Sequence, residues 1–395
     1  MKKVLAIVLA LAMVLALAAC GGSKTSSTST STTQSAVVKI GVYEPQSGDN
    51  GAGGKQEILG MQYANSVQPT VTIGGTEYTV ELVYADNESS NDKAVSAASQ
   101  LIGAGCSVIL GSYGSGVSIA ASDTFAEAGI PAIGVTCTNP QVTEGNDHYF
   151  RICFLDPFQG TVMANFAKDN FGAKTAYCLG QLGNDYDQGL INYFKQAAEG
   201  LGMTVVTEAF PEGNSDFTSY LTNAKNAGAD VIFAPCSTSY AQLIIEQAAT
   251  QGVTMPLLAG DTWDSNVILA AATGKDLDIE VSTFYQEGAN ESFESGFKAW
   301  ISGDATNLAN NGGDDTLAAV SVMGYDAYFT ALAAMQQAGS TAAADIMAAL
   351  PSTTYTGITG EIKFDAVGDA ERDSAVIKKV DTAAGVWEFV AVQGI

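Results

Sequence analysis

The chain has 395 residues, is 47% hydrophobic, and carries 42 Asp and Glu against 17 Lys and Arg, for a formal net charge of −25. A field of that sign repels phosphate backbones and anionic headgroups, which argues against a nucleic-acid role. The length suggests two domains, and the apolar content is ample for a core in each.

At the N-terminus, Met1-Lys2-Lys3 is basic and Val4 to Leu17 is almost purely aliphatic. A charged start, a short apolar run and small residues before a cut are the marks of a secretory leader. The run falls short of the ~20 residues a membrane span needs. Its ending, Leu17-Ala18-Ala19-Cys20-Gly21, resembles the lipobox of bacterial lipoproteins. The resemblance implies removal of residues 1–19 and a lipid on Cys20, which would hold the protein to the membrane. The competing reading is an ordinary leader with a chance cysteine. Residues 20–36, rich in Ser and Thr, bury nothing apolar and read as a tether. The folded body is expected from near Val37.

Five further cysteines remain: Cys106, Cys137, Cys153, Cys178 and Cys236. The number is odd and no Cys-x-x-Cys occurs, so no disulfide framework and no zinc pattern is read. Most are expected to be small buried residues. One oxidised pair is left open.

From Val37 onward, short apolar runs alternate with helical patterns. Strands are expected at Val37–Tyr43, Val80–Tyr84, Val108–Leu110, Ala132–Val135, Lys174–Leu179, Thr204–Ala209, Val231–Ala234, Met255–Leu258 and Glu280–Phe284. Helices are expected at Glu57–Ser66, Lys93–Gly103, Val117–Ala128, Leu190–Leu201, Phe217–Ala227 and Tyr240–Gln251. In the second of these, Val95, Ala98, Leu101 and Ile102 are placed on one face. This alternation predicts α/β domains with parallel sheets covered on both faces. It breaks at Arg151–Gly160 and after Thr283. A long helix over Thr316–Ala338, a second ending at Leu350-Pro351, and strands near Gly360, Val376–Val380 and Trp387–Val392 complete the chain.

Seven segments then fall in a recognisable order. They are Ile40-Gly-Val-Tyr-Glu-Pro-Gln-Ser-Gly48, Gly111-Ser-Tyr-Gly-Ser-Gly116, Gly129-Ile-Pro-Ala-Ile-Gly-Val-Thr-Cys-Thr-Asn-Pro140 and Asp147-His-Tyr-Phe-Arg-Ile-Cys-Phe-Leu-Asp-Pro-Phe-Gln-Gly160. Gly183-Asn-Asp-Tyr-Asp-Gln-Gly189, Gly260-Asp-Thr-Trp-Asp-Ser265 and Thr359-Gly-Glu-Ile-Lys-Phe-Asp365 follow. Together they resemble the type I, branched-chain-amino-acid binding proteins of ABC transporters. The resemblance implies two Rossmann-like lobes joined by three crossover segments, with ligand between them. Lobe 1 is expected to comprise residues 37–154 and 286–355, and lobe 2 residues 155–285 and 356–395. Hinges are expected near Phe154–Gln159, Thr283–Gln286 and Tyr355–Gly360. The implied protein is an extracytoplasmic monomer that hands an amino acid, branched-chain or related, to ABC transporter permease subunits. Two other outputs stay open: a sensing receptor lipoprotein, and a binder of another solute such as an amide or an aromatic acid.

An amino acid presents a carboxylate, an ammonium group and a side chain. For the carboxylate, Gly111–Gly116 precedes a helix, whose N-terminus offers free N–H groups. The resemblance gives the carboxylate to Ser115 with backbone help from Gly116; a plain glycine-rich turn is the bland alternative. It gives the ammonium to the Thr136 carbonyl and Asp261, gives the Thr138 hydroxyl to the carboxylate or the ammonium, and sets Tyr186 of the second lobe over the ligand. For Asp261 the alternative is a solvated turn aspartate or a helix cap like its neighbour Asp264. Tyr43, Tyr113 and Trp263 are candidates for the side-chain pocket, with Gln46 and Ser47 behind them. The first loop, Gly48-Asp-Asn-Gly-Ala-Gly-Gly54, is more glycine-rich than the family pattern.

Nothing suggests an enzyme. The single histidine, His148, stands far from any evident nucleophile and reads as structural. No carboxylate pair sits in an acid–base motif, no cluster has metal-ligand spacing, and no cofactor is implied.

Overall fold

The computed structural model describes residues 36–395, which form one compact unit. The expected leader, Cys20 and all but the last residue of the tether lie outside the described residues.

The first lobe is built on a six-stranded sheet. Its strands are β1 (Ala36–Glu44), β2 (Thr70–Ile73), β3 (Thr76–Asp86), β4 (Val108–Leu110), β5 (Ala132–Gly134) and β6 (Tyr149–Arg151), in the spatial order β2-β3-β1-β4-β5-β6. All pairings are parallel except the β2–β3 hairpin. The second lobe repeats the plan with β7 (Thr175–Gln181), β8 (Thr204–Phe210), β9 (Val231–Phe233), β10 (Leu257–Ala259) and β11 (Ile279–Thr283). Two antiparallel strands, β14 (Ala375–Asp381) and β15 (Val386–Gln393), extend it to the order β15-β14-β11-β10-β9-β7-β8. The strands β4, β5, β9 and β10 are three residues long and wholly buried, the signature of parallel strands covered on both faces.

Helices α1 (Gly51–Val67), α2 (Asn91–Gly103) and α3 (Ser115–Ala128) follow β1, β3 and β4 in the first lobe. In the second lobe, α4 (Asp156–Phe171) precedes β7, while α5 (Asp185–Gly200), α6 (Thr218–Asn226), α7 (Thr238–Gln251) and α8 (Asn266–Ala272) follow its strands. The chain then returns to the first lobe for α9 (Glu291–Ser302), α10 (Ala305–Asn310), α11 (Ala319–Ala338) and α12 (Ala343–Ala349). Left-handed glycines at Gly129, Gly172, Gly252 and Gly339 end α3, α4, α7 and α11, because only glycine adopts that conformation without a Cβ clash. Each sheet carries core on both faces: Val38, Ile40 and Val42 on one side of β1, and Ile109 of β4 with Phe125 of α3 on the other.

Several expectations need correction. The buried stripe of α2 is Ala94, Ala97, Ala98 and Leu101, while Val95 is half exposed. Gly51 to Gly54 are the buried first turn of α1 rather than a loop. The breaks in alternation hide two helices, α4 and α9, the latter burying Phe293, Phe297 and Ile301 at i, i+4 and i+8. The third crossing also moves. The hairpin of β12 (Thr354–Gly357) and β13 (Gly360–Lys363) stays with the first lobe, because Ile362 and Phe364 are in its core and Asp369 pairs with Arg151. The chain crosses only after Arg372, entering the second sheet at Ala375. The three crossings lie side by side: the Phe154 and Phe284 rings are 4.3 Å apart, and Arg372 Nε donates to the Ile152 carbonyl at 3.0 Å. Asp156–Gln159 is the first turn of α4 rather than part of a hinge.

Candidate ligand-binding cleft

Leaving aside the antiparallel strands, both sheets have the spatial order 2-1-3-4-5. The topological switch point lies between β1 and β4 in one lobe and between β7 and β9 in the other. Ligands of open α/β sheets bind beyond the carboxyl ends of strands at such points. Here the two ends face each other across a cleft of about 260 Å³, lined among others by Asn91, Ser115, Tyr186 and Thr262. A larger hollow, about 610 Å³, lies at the crossings and touches neither switch point.

The lobes are closed on one another. Asp49 of the first lobe reaches the N-terminus of α7 in the second, where its carbonyl accepts from Ser239 N at 3.3 Å and its Oδ1 from Ser239 Oγ at 2.9 Å. Gln56 Nε2 donates to Asn266 Oδ1 at 2.5 Å and its Oε1 accepts from Ser265 Oγ at 2.9 Å, all three side chains being buried. Asn139 Nδ2 donates to the Asp185 carbonyl at 2.8 Å.

At one pole of the cleft stands the N-terminus of α3, which has no side-chain cap and therefore keeps its orphan N–H groups. Ser115 is buried there, its Oγ accepting from Asn139 N at 3.3 Å. Gly116 admits the second lobe: a Cβ at this position would lie 3.0 Å from Asp185 Oδ2.

Asp261, almost fully buried, opens the turn after β10, next to Thr262 and bonded to Tyr186, both of which line the cleft. Its Oδ1 accepts from Gln159 Nε2 and from the Tyr186 hydroxyl, both at 2.9 Å. Burial pushes Asp261 up to about 6, while those two donors pull it back. The Thr138 hydroxyl is buried beside the Asp156 carboxyl, which burial pushes up to about 8 while Thr138 pulls it back. Thr136 donates its hydroxyl to Glu57. Arg151 fixes this segment from behind, donating to the carbonyls of Cys137, at 2.9 Å, and Asn139.

The aromatic candidates separate. Tyr113 stays at the cleft: its ring occupies the space a Cβ of Gly53 would need, and its hydroxyl donates across the lobes to the Thr262 carbonyl at 3.1 Å. Tyr43 instead points into the first lobe, donating to the Val117 carbonyl and packing edge-on to Phe125. Strand parity is the signal for this, since Val42 and Tyr43 face opposite sides of β1. Trp263 is fully buried in the second lobe's core, its Nε1 donating to the Cys236 carbonyl at 3.1 Å. Gln46 N and Ser47 Oγ both bind Asp86, which anchors the first loop. Asp264 is no helix cap; it takes the buried Lys378 ammonium at 2.9 Å. The five cysteines of the described body are free and buried. Among the described residues no cluster of His, Cys, Asp or Glu has the makings of a metal site, and no helix is long and apolar enough to cross a membrane.

The sequence reading missed Glu44, Gln56, Glu57, Asp156 and Gln159. All are buried polar groups; Gln56 bonds Ser265 and Asn266 across the lobes, and Gln159 bonds Asp261. Glu57, Asp156 and Glu280 are each pushed up to about 8 by burial. Unfolded carboxyls titrate near pH 4, so between about pH 4 and 8 the folded chain binds more protons at these sites. Their contribution is full below about pH 4 and is lost as pH rises through 8, with a slope of about 1.4 kcal/mol per unit per group. The ligand-free protein is therefore expected to melt at a higher temperature at pH 5.5 than at pH 8. A flat or rising melting temperature over that range would contradict the burial of these acids.

Two switch-point sheets closing on a cleft with an N–H pole and a carboxylate pole define a two-lobed solute-binding fold. Residues 37–383 match the model of the periplasmic binding protein family, and the chain belongs to that family. It is 32% identical to the leucine-binding protein LivK from Thermotoga maritima MSB8, whose structure superposes with a TM-score of 0.80 over 91% of this chain and 99% of that one. It is 28% identical to Leu/Ile/Val-binding protein homolog 2 of Brucella abortus (strain 2308), over 85% of this chain and 88% of that protein. A benzoate-bound solute-binding protein from R. palustris shares the fold at 20% identity, with a TM-score of 0.79 over 91% of this chain and 96% of that one.

Proposed function

We propose that this chain is an extracytoplasmic lipoprotein that captures an amino acid, branched-chain or related, between its lobes and delivers it to an ABC transporter. The observation that carries this reading is the pairing of opposite poles in one cleft. The uncapped N-terminus of α3 with Ser115 suits a carboxylate, and the buried Asp261 with Thr138 suits an ammonium. An aromatic acid has the first group and lacks the second, so it would leave Asp261 without a cation. The names of the LivK and Leu/Ile/Val-binding relatives support an amino acid as ligand.

The interlobe bonds of Asp49, Gln56 and Asn139 are made only when the lobes meet. Ligand stabilises that form by its differential affinity for it, and the transporter would read the closed shape. The test is a thermal-shift screen of residues 36–395 against the common L-amino acids, amides and aromatic acids. Ligand at 100 times its Kd stabilises by about 2.7 kcal/mol. A shift with amino acids, together with a smaller radius of gyration in solution scattering, is the expected result. A shift with aromatic acids alone would discard the ammonium role of Asp261.

Lipid on Cys20 is the proposed anchor. Cys20→Ser is expected to move the protein from the membrane fraction to the medium. An unchanged distribution would remove the lipid.

A further inference from the structure

Two helix N-termini whose own cap residues give no side-chain bond open onto the cleft, α3 behind Gly114 and α7 behind Ser237. The first is the pole offered above to a carboxylate. The second is met by protein, from the opposite lobe. The Asp49 carbonyl accepts from the Thr238 hydroxyl at 3.1 Å and from Ser239 N at 3.3 Å, and its Oδ1 accepts from Ser239 Oγ at 2.9 Å. Ser239 N is one of the donors that a helix leaves free at its start, and a carboxylate beside that end is favoured by the helix dipole. Asp49 therefore does for α7, from 190 positions away, what a cap residue ordinarily does from the helix's own chain.

The loop that presents Asp49 is tied down on both sides of it. Asp86 holds Gln46 N and Ser47 Oγ, both at 2.8 Å. Ser89 Oγ accepts from Asn50 N and donates to the Ser47 carbonyl, both at 3.0 Å. Gly51 N closes the turn on the Gly48 carbonyl at 3.1 Å. Gly48 has φ +77°, and a Cβ there would collide with the Glu88 carbonyl, so the turn needs glycine. A group held this way loses little freedom when it engages its partner.

Of the bonds across the cleft named above, that of Asp49 is the one made by a charged side chain; Gln56, Asn139 and Tyr113 are neutral. Its Oδ1 and its carbonyl are spent on α7, while the N–H pole belongs to α3 and the ammonium contact to Asp261. We infer that Asp49 is a positioning residue for capture: it latches α7 to the first lobe and sets how long the closed cleft keeps its solute, leaving the choice of solute to other residues. The inference rests on the capture reading above and deepens it. The latch is the same whichever solute is held.

The test is stopped-flow binding of L-leucine, L-isoleucine, L-valine, L-glutamine, L-phenylalanine and benzoate to the parent protein, Asp49→Ala and Asp49→Asn. The latch forms only once the lobes meet, so Asp49→Ala is expected to speed dissociation about three- to thirtyfold, with association changed less than about threefold. The factor is expected to be the same for every solute the parent binds. Asp49→Asn keeps an oxygen for Ser239 and is expected to stay near the parent, since asparagine caps a helix as well as aspartate does. An unchanged dissociation rate in a folded Asp49→Ala protein overturns the inference and leaves the capture reading standing. A loss that reorders the solutes also overturns it, because it would put Asp49 on the ligand, and so does an equal loss in Asp49→Asn. Binding of benzoate alone overturns the amino-acid reading, and the same two rates then decide the latch on benzoate. A parent that binds none of the six overturns the amino-acid reading and the inference that rests on it.

Discussion

Asp261→Asn is expected to weaken amino-acid binding by about 2–5 kcal/mol, a loss of roughly 30- to several-thousand-fold, with the fold intact. The protein's two side-chain donors to this residue, Gln159 Nε2 and Tyr186 OH, both engage Oδ1. An asparagine keeps an Oδ1 for them and replaces only the other oxygen, the one left for the ligand. The exchange therefore removes a charge from the cleft and leaves the protein's own bonds in place. A charge-assisted bond in a buried site is among the stronger contacts available, and an ammonium facing an amide NH2 has no acceptor there. The pH profile gives a second readout. Ligand-free Asp261 is pushed up to about 6, and an ammonium beside it would lower that value. Affinity of the unmodified protein is expected to hold above pH 6 and to fall about tenfold per unit below it. The variant is expected to lack this step. Calorimetry at pH 5 and pH 7.5 checks both; unchanged affinity in the variant would take Asp261 out of the site.

The fold was legible because its strongest local signals coincide with its buried parallel strands. Val108–Leu110 and Val231–Phe233 are continuous apolar runs, and the helices expected to end at Ala128 and Gln251 do end there. Helix α4 was not legible, since its first turn carries Asp156, Gln159 and Gly160, which read as a linker. Gln159 and Gly160 are turned into their own lobe, Gln159 toward Asp261 and Ser282 and Gly160 against Tyr193 and Phe194, and no local pattern reports a partner more than 100 residues away. Gln159 bonds Asp261 across 102 positions, and Gln56 bonds Asn266 across 210. Glu44 and Glu57 were hidden by nearer but still non-local partners of their own lobe, Tyr113 and Thr136, 69 and 79 positions on. Periodicity ranks residues by which side of their own element they occupy, and a closed cleft buries the side that would otherwise read as exposed. Trp263 shows the converse error, since an aromatic beside a site residue turned out to belong to the core behind it.

Arg151→Met is expected to destabilise the protein by about 3–5 kcal/mol, the larger effect on folding among the changes considered. The guanidinium is fully buried and Asp369 nearly so, with Nε donating to Oδ1 at 2.5 Å. Its other nitrogens serve the Cys137 and Asn139 carbonyls and the Thr143 hydroxyl, the last at 3.0 Å. Methionine fills much of the volume and leaves Asp369 with a buried, uncompensated charge, along with two carbonyls short of a donor. Breaking a buried pair by removing one member is costly for that reason, whereas replacing both members is often nearly neutral. The double variant Arg151→Met with Asp369→Leu is therefore expected to recover part of the loss in urea unfolding. Ligand affinity is expected to stay low in both, because Arg151 is what holds the segment carrying Thr136 and Thr138 against the cleft. Full recovery of binding in the double variant would mean that the segment is held by its own packing. A single variant as stable as the parent would mean that the pair contributes nothing to the folded state.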